Sequence, residues 1–181
     1  QEHAAFSGLV TTDRIVPWAF GATCGDVAAC PVAKQLNYGA RRGTDGSLPV
    51  LADTQADGFS LDWCNTLTTG KETHSSAGSS TSRDDGAGTT AGMVAYLEIT
   101  DCDSGTPTVT IQESSDTGSS DAWVNVLSFS AVGYASAPTA ERVTSSGTVE
   151  RYLRITTTGT FSNLDFCVST RRGTSQDDVA F

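Results

Sequence analysis

The sequence predicts an all-β protein whose second half folds as a small β-sandwich, and three observations carry that prediction. In Tyr152–Ile155 the apolar Leu153 and Ile155 share one parity, as do Leu164, Phe166 and Val168 further on, while Tyr152, Arg154, Asp165 and Ser169 take the other. A period of two marks strands with one face on a core and one toward water. Turn signals rich in Ser, Gly and Asp recur at close, regular spacing, at DCDSGTP, SSDTGSSD and SSG, and no stretch sustains the 3.6-residue period of an amphipathic helix.

Residues 1–23 hold apolar clusters without a period: Ala4 to Phe6, Leu9-Val10 and Ile15 to Phe20. Pro17 and Gly21 exclude one long helix there. Asp26 to Ala33 reads as a short helix start or a turn with Asp26 as its cap. Gln35 to Gly39 reads as a strand, Arg41 to Gly46 as a polar turn, Leu48 to Gln55 as a strand with Pro49 at an edge or start, and Ser60 to Asn65 as a short strand. This half is thin in core residues for a free-standing domain.

Residues 69–92 contain no apolar side chain larger than Ala. They read as a linker or long loop, because such a segment buries too little surface to offset its ordering entropy. The domain division that follows is 1–68, a β-rich segment thin in core residues; 69–92, a linker or long loop; 93–172, a small β-sandwich or jelly roll; and 173–181, a polar tail. Within 93–172 the strands are Met93 to Thr100, Thr108 to Gln112, Trp123 to Phe129, then TAERVTSSGTVERYLR folded as a hairpin about Ser145-Ser146-Gly147, then Phe161 to Arg172.

The 181 residues carry a formal net charge of -10. That balance excludes a sequence-independent grip on nucleic acid, which needs Lys and Arg to displace counterions. No apolar run approaches the ~20 residues of a membrane helix. The N-terminal QEHAAFSG lacks an initiator Met and the layout of a signal peptide, so the chain is expected to be processed or to be a piece of a longer one. Five Cys, at 24, 30, 64, 102 and 167, leave at least one unpaired within the chain. Cys24 and Cys30 could close a short loop, but reduced thiols are the expected state.

A search for chemistry yields no catalytic, cofactor or metal assignment. No nucleophile elbow, phosphate loop or His-Glu-x-x-His motif is present. His74 is expected to be solvated in the linker, and Asp101 and Asp103 to belong to a hydrogen-bonded turn rather than a Ca²⁺ site. Two groups of residues remain. Arg142, Arg151 and Arg154 form a basic patch in an acidic chain, either paired with Glu141 and Glu150 across the hairpin or offered to an acidic neighbour such as another copy. Trp123, Tyr134 and Tyr152 could form an aromatic platform for a ligand, with Trp123 more readily placed in the core.

The ordered series GMVAYLEIT, PTVTIQESSDTGSSDAWVNVLSF and TAERVTSSGTVERYLRITTTGTFSNLDFCVSTRR resembles the C-terminal β-sandwich of tail tube-like structural proteins of long-tailed bacteriophages. The upstream GDVAACPVAKQLNYGARRGTDGSLPVLADTQADGFSLDWCNTLTTGK resembles the segment preceding that sandwich. The resemblance spans residues 20–172 and implies that 1–68 is a partial tube-type β-barrel or sandwich segment that carries the assembly surfaces, and that 93–172 is an appended immunoglobulin-like or jelly-roll β-sandwich expected to fold alone as a monomer. It implies a non-enzymatic virion protein, assembled in the host bacterial cytoplasm. Such a protein self-associates into stacked, hexameric rings beside other virion proteins, and DNA passes as cargo without being bound. It also implies a further N-terminal portion. A capsid decoration protein and a carbohydrate-binding adhesion module are the alternatives.

Overall fold

The computed structural model describes residues 14–56 and 61–175, and every statement below concerns those residues. The apolar cluster of residues 4–10, Ser60 at the start of one expected strand and most of the polar tail lie outside them. The architecture is all-β. Its strands are β1 (Arg14–Ile15), β2 (Trp18–Ala19), β3 (Val27–Cys30), β4 (Val32–Ala40), β5 (Val50–Ala56), β6 (Asp62–Thr66), β7 (Glu72–His74), β8 (Gly78–Ser79) and β9 (Arg83–Asp84). They continue with β10 (Met93–Gly105), β11 (Thr108–Ser114), β12 (Val124–Ser128), β13 (Thr139–Ser145), β14 (Tyr152–Thr158) and β15 (Phe161–Arg172), with one 3₁₀ turn at Tyr134–Ser136.

The chain divides into two compact units. The smaller draws on residues 14–16, 31–56 and 61 and contains the three-stranded sheet β1-β4-β5. Its body is a long β4–β5 hairpin, running in register from Ala33↔Ala56 to Ala40↔Val50 with a bulge between Gln35 and Asn37. The connecting loop is closed by its own turn chemistry. Gly43 N–H donates to Ser47 O at 2.8 Å, and the Asp45 carboxylate accepts the Ser47 N–H at 3.0 Å. Pro49 stands just before β5, where its missing N–H costs no ladder bond.

The larger unit, residues 17–30 and 62–175, is a sandwich of two antiparallel sheets. One sheet runs β13-β10-β15-β6-β3-β2, with β7 also beside β15; the other runs β12-β11-β14-β8, with β9 also beside β14. Both grow from one ribbon. β10 pairs with β15 from Met93↔Arg172 to Gly105↔Phe161, and β11 pairs with β14 from Thr108↔Thr158 to Ser114↔Tyr152. The connections Thr106-Pro107 and Gly159-Thr160 fold this ribbon over, so that its two halves become facing layers.

The fold-over demands glycine. Gly105 and Gly159 have φ of +86° and +96°. A Cβ at Gly105 would lie 2.0 Å from the Thr160 carbonyl oxygen, and one at Gly159 would lie 2.6 Å from that of Thr106. Only glycine lets the two corners nest this closely in that backbone conformation. Inside, Met93, Leu97 and Ile99 of β10 and Leu164, Phe166 and Val168 of β15 face Val109, Ile111, Leu153 and Ile155 of the second sheet. Each large side chain so buried contributes about 1.5–3 kcal/mol.

Five sequence expectations are corrected here. Residues 139–154 alternate as strands but form no hairpin, since β13 pairs with β10 in one sheet and β14 with β11 in the other. Val143 and Leu153 therefore meet the core from opposite sides, and the crossing between them is anchored by the fully buried Val149, bridged to Thr89. Residues 69–92 are not a linker. They carry β7, β8 and β9, which pass from β15 in one sheet to β14 in the other along the side of the sandwich. Hydroxyl and carboxylate hydrogen bonds hold this strap in place of apolar burial.

Residues 17–30 and 62–66 also belong to the sandwich unit, so a boundary at 68 or 92 would cut through paired strands. Finally, Asp26 caps no helix. Its carboxylate accepts the Thr23 N–H at 2.8 Å in the turn that leads into β3. The DCDSG stretch likewise continues β10, past a bulge between Ile99 and Asp101, with Asp103 accepting a hydrogen bond from Asn163 at 2.6 Å.

Gly105→Ala is expected to cost roughly 2 kcal/mol or more, from left-handed strain plus the carbonyl clash. Urea unfolding of the two proteins measures it. A control with open space at the Cβ position, Gly39→Ala, for which the added Cβ meets nothing within 4 Å, should stay near wild type.

Candidate functional site

The residues singled out from the sequence separate onto different faces. Arg142 lies on β13 and points away from the core: its Nε donates to the Tyr96 hydroxyl at 3.1 Å, and its Nη2 stands 3.9 Å from Asp62. Arg171 binds the other side of Asp62, with Nη2 at 3.0 Å, and the Tyr96 hydroxyl donates to Asp62 Oδ2 at 2.5 Å. A buried carboxylate is thus held by two guanidiniums and a phenol. Burial and the adjacent Asp62 charge push the Tyr96 hydroxyl well above its usual range.

Arg151 and Arg154 sit on the outer face of the five-stranded sheet, together with Trp123 and Tyr152. Arg154 stacks over the Trp123 ring at 4.4 Å and donates through Nε to Gln112 Oε1 at 2.9 Å, and Gln112 donates onward to Asn125. Arg151 makes a two-pronged contact with Asp84, at 2.7 and 2.6 Å, and covers the Tyr152 ring at 4.9 Å. The Arg151 hydrogen bonds hold the Asp84 carboxyl down at about 2. Trp123 is therefore outside the core, pinned between Arg154 and the close approach of Gly118. Tyr134 stands apart on the exposed 3₁₀ turn.

Glu141 and Glu150 do not stand across a hairpin from these arginines, because β13 and β14 lie in different sheets. Glu141 instead accepts the backbone and hydroxyl of Ser130. Guanidiniums of the protein lie over the rings of Trp123 and Tyr152, and Tyr134 carries none among the described contacts.

His74 is not solvated. Its ring stands edge-on to Phe166 at 5.0 Å, Nδ1 meets Thr157 Oγ1 at 2.8 Å, and Nε2 meets Ser80 Oγ at 3.2 Å. Ser80 donates to Glu72, and a threonine occupies the Nδ1 side where a catalytic triad would place a carboxylate. The group fastens the strap across both sheets, and burial lowers the imidazole pKa. The alternation in Glu72-Thr73-His74 is the signal that could have located this strand.

All five cysteines are free thiols. Cys24 donates to the Leu67 carbonyl at 3.4 Å, whereas Cys30 lies on β3 diagonal to Cys64 of β6, so the short Cys24–Cys30 loop does not form.

Two apolar surfaces were missed by sequence reading. On the smaller unit, Leu36, Leu48, Val50 and Leu51 of the hairpin are each more than half exposed, and β5 is an edge strand among the described residues. On the sandwich, β2, β3 and β6 present one face carrying Trp18, Phe20, Val27 and Trp63, exposed by 66, 63, 47 and 57%. Cross-strand register aligns Trp18, Ala29 and Trp63 in one row, and Phe20 stacks on Trp63 with ring centroids 6.1 Å apart. The alternate residues Ala28, Cys30, Asp62 and Cys64 are buried, so the same period of two that builds the core displays the aromatics.

One charged cluster closes the sandwich. Arg83 of β9 donates to Asp85 at 2.6 Å, to the carbonyls of Asn65 and Thr66 and to the Thr170 hydroxyl. Arg172 of β15 donates to Asp85 at 2.8 Å and to the carbonyls of Val149, Glu150 and Arg151. Burial would raise the Asp85 carboxyl, but the hydrogen bonds and charges of Arg83 and then Arg172 outweigh it and hold it below its ordinary value.

A folded pKa below the unfolded one gives stability that is present above the unfolded value near 3.9 and is lost as pH falls through the folded value. Asp85→Asn should accordingly lose about 2–3 kcal/mol at pH 7, because two partly buried guanidiniums are left without their charge partner. In urea titrations the gap to wild type should narrow below about pH 4.

No protein-family model matches the sequence, and no curated protein matches it. Among solved structures, a chain of the naturally occurring empty particles of cowpea mosaic virus (top component) is similar to this one at 11% identity, covering 91% of this chain and 84% of that one, with a TM-score of 0.27. A likeness of that size carries no argument about fold or function.

Proposed function

We propose that this chain is a structural subunit of a virus particle that works by self-association. In the finer form of the reading, it is a tail tube subunit of a long-tailed bacteriophage that assembles into rings through which DNA passes. The observation that supports it is the β4–β5 hairpin: a seven-residue edge strand beside exposed Leu36, Leu48, Val50 and Leu51. Soluble monomers guard such edges with charge, proline or cover, and assemblies close them by pairing edges between subunits. The net charge of -10 suits a lumen that repels nucleic acid. The motif series resembling tail tube-like proteins supplies the particular virion role, with other virion proteins as neighbours.

Nothing on the outer face of the five-stranded sheet favours the carbohydrate-binding alternative, since Arg154 and Arg151 lie over the rings of Trp123 and Tyr152. Negative-stain microscopy of the purified chain tests the rest. Rings or tubes of about six subunits per turn are expected. Trimers that bind expanded capsids would make it a decoration protein, and a persistent monomer would end the self-assembly reading. Replacing Leu36, Val50 and Leu51 by Ser should change stability by no more than about 0.5 kcal/mol per site, because the side chains are exposed, while abolishing the assemblies.

A further inference from the structure

We propose that the Trp18–Phe20–Val27–Trp63 face is a contact surface for a second copy of the same chain; the proposal rests on the self-association reading and names where on the sandwich it acts. The face exists because the two sheets differ in width. Asn65 pairs with Thr170, which shares the parity of the core residues Phe166 and Val168, so Trp63, Ala29 and Trp18 continue the core-facing side of the seven-stranded sheet. The five-stranded sheet ends at β8 and β9, and among the described residues no strand of it lies over β6, β3 and β2. The result is a ledge: a sheet surface of core composition without its second layer.

Its size favours a protein partner. Aromatic side chains bury about 150–250 Å² each, so three rings more than half exposed plus Val27 offer on the order of 400–500 Å². That is at the upper end of apolar patches on monomers, about 300–600 Å², and roughly half of the ~800 Å² that each partner buries in a stable complex. The hairpin's apolar side chains supply a second such surface on every copy. The rings are also partly ordered beforehand: Phe20 and Trp63 already stack at an interplanar angle of 27°, so little rotamer freedom remains to be lost on contact.

Its lack of ionised groups suits contact with a copy of the same chain. Two chains of net charge -10 repel, and the surface on which they can meet at least cost is one without ionised groups. The rows Trp18-Ala29-Trp63 and Phe20-Val27-Asn65 contain none. At the rim, β2 is the terminal strand of its sheet and leaves backbone groups available for a neighbouring strand.

Tryptophan itself reports on the ledge, because two of the chain's three Trp lie on it and the third, Trp123, is on the far sheet. Sedimentation of the full chain across a concentration series, with iodide quenching of Trp emission, makes the test. Wild type is expected to associate with loss of quenching, and Trp18→Ser/Trp63→Ser to weaken association by at least about tenfold, while Trp123→Phe leaves it unchanged. If near-UV circular dichroism shows the double variant misfolded, Phe20→Ser takes its place with the same expectation.

Association of the ledge variant at wild-type strength, with the hairpin variant still failing to assemble, would overturn the ledge and leave self-association standing. So would a wild-type assembly in which Trp18 and Trp63 stay fully quenchable. A wild-type chain that remains monomeric throughout would remove both.

Discussion

The fold depends on one ribbon being folded over at one place. β10 with β15 and β11 with β14 are the two halves of a single antiparallel ladder, and the nested corners at Gly105 and Gly159 turn it through the thickness of a core. Within the sandwich, β13, β6 and β7 attach to the first half and β12, β8 and β9 to the second, and β3 and β2 extend the first sheet beyond β6. Because side chains alternate, folding the ribbon brings Leu164, Phe166 and Val168 opposite Ile111, Leu153 and Ile155 without further instruction. The pairings are nonlocal, so chain closure costs entropy before burial returns it.

Polar chemistry then secures what the ribbon leaves open. The strap of β7, β8 and β9 crosses the side of the sandwich and has almost no apolar residues to bury. Its hold comes from His74 on Thr157 and Ser80, from Lys71 and Thr73 on Asp165, and from Arg83 and Arg172 converging on Asp85. These bonds anchor the strap to both sheets. A segment read by hydrophobicity alone looks unfoldable, yet each of its charged groups has a fixed counterpart.

The strands of the sandwich core were legible in the sequence and their partners were not, whereas the short β1, β2 and β3 and the strap strands β7, β8 and β9 were not read as strands. Leu153 and Ile155, or Leu97 and Ile99, declare a buried face by parity, but parity is silent on which strand lies alongside. Hence residues 139–154 read as a hairpin, although the buried Val149 in the crossing marks a passage between layers. Arg142, Arg151 and Arg154, adjacent in sequence, accordingly scatter to Asp62, Asp84 and Trp123. The aromatic ledge was hidden for a related reason. Trp18 and Trp63 look like core residues, and they do occupy the core-facing side of their sheet. Only the narrower width of the opposing sheet leaves them in water.

The association surfaces and the finished core thus obey the same rule of alternating faces, and differ only in whether the chain supplies its own second layer. The central claim is that the sandwich is a completed scaffold and that copies meet through its uncovered ledge and the β4–β5 hairpin. Hydrogen–deuterium exchange compared between dissociated and associated chain tests it most directly. The account predicts new protection confined to residues 18–29, 34–56 and 62–66, with β10 and β15 protected in both states. New protection concentrated instead on residues 110–125 and 152–156, the outer face of the five-stranded sheet, would contradict it.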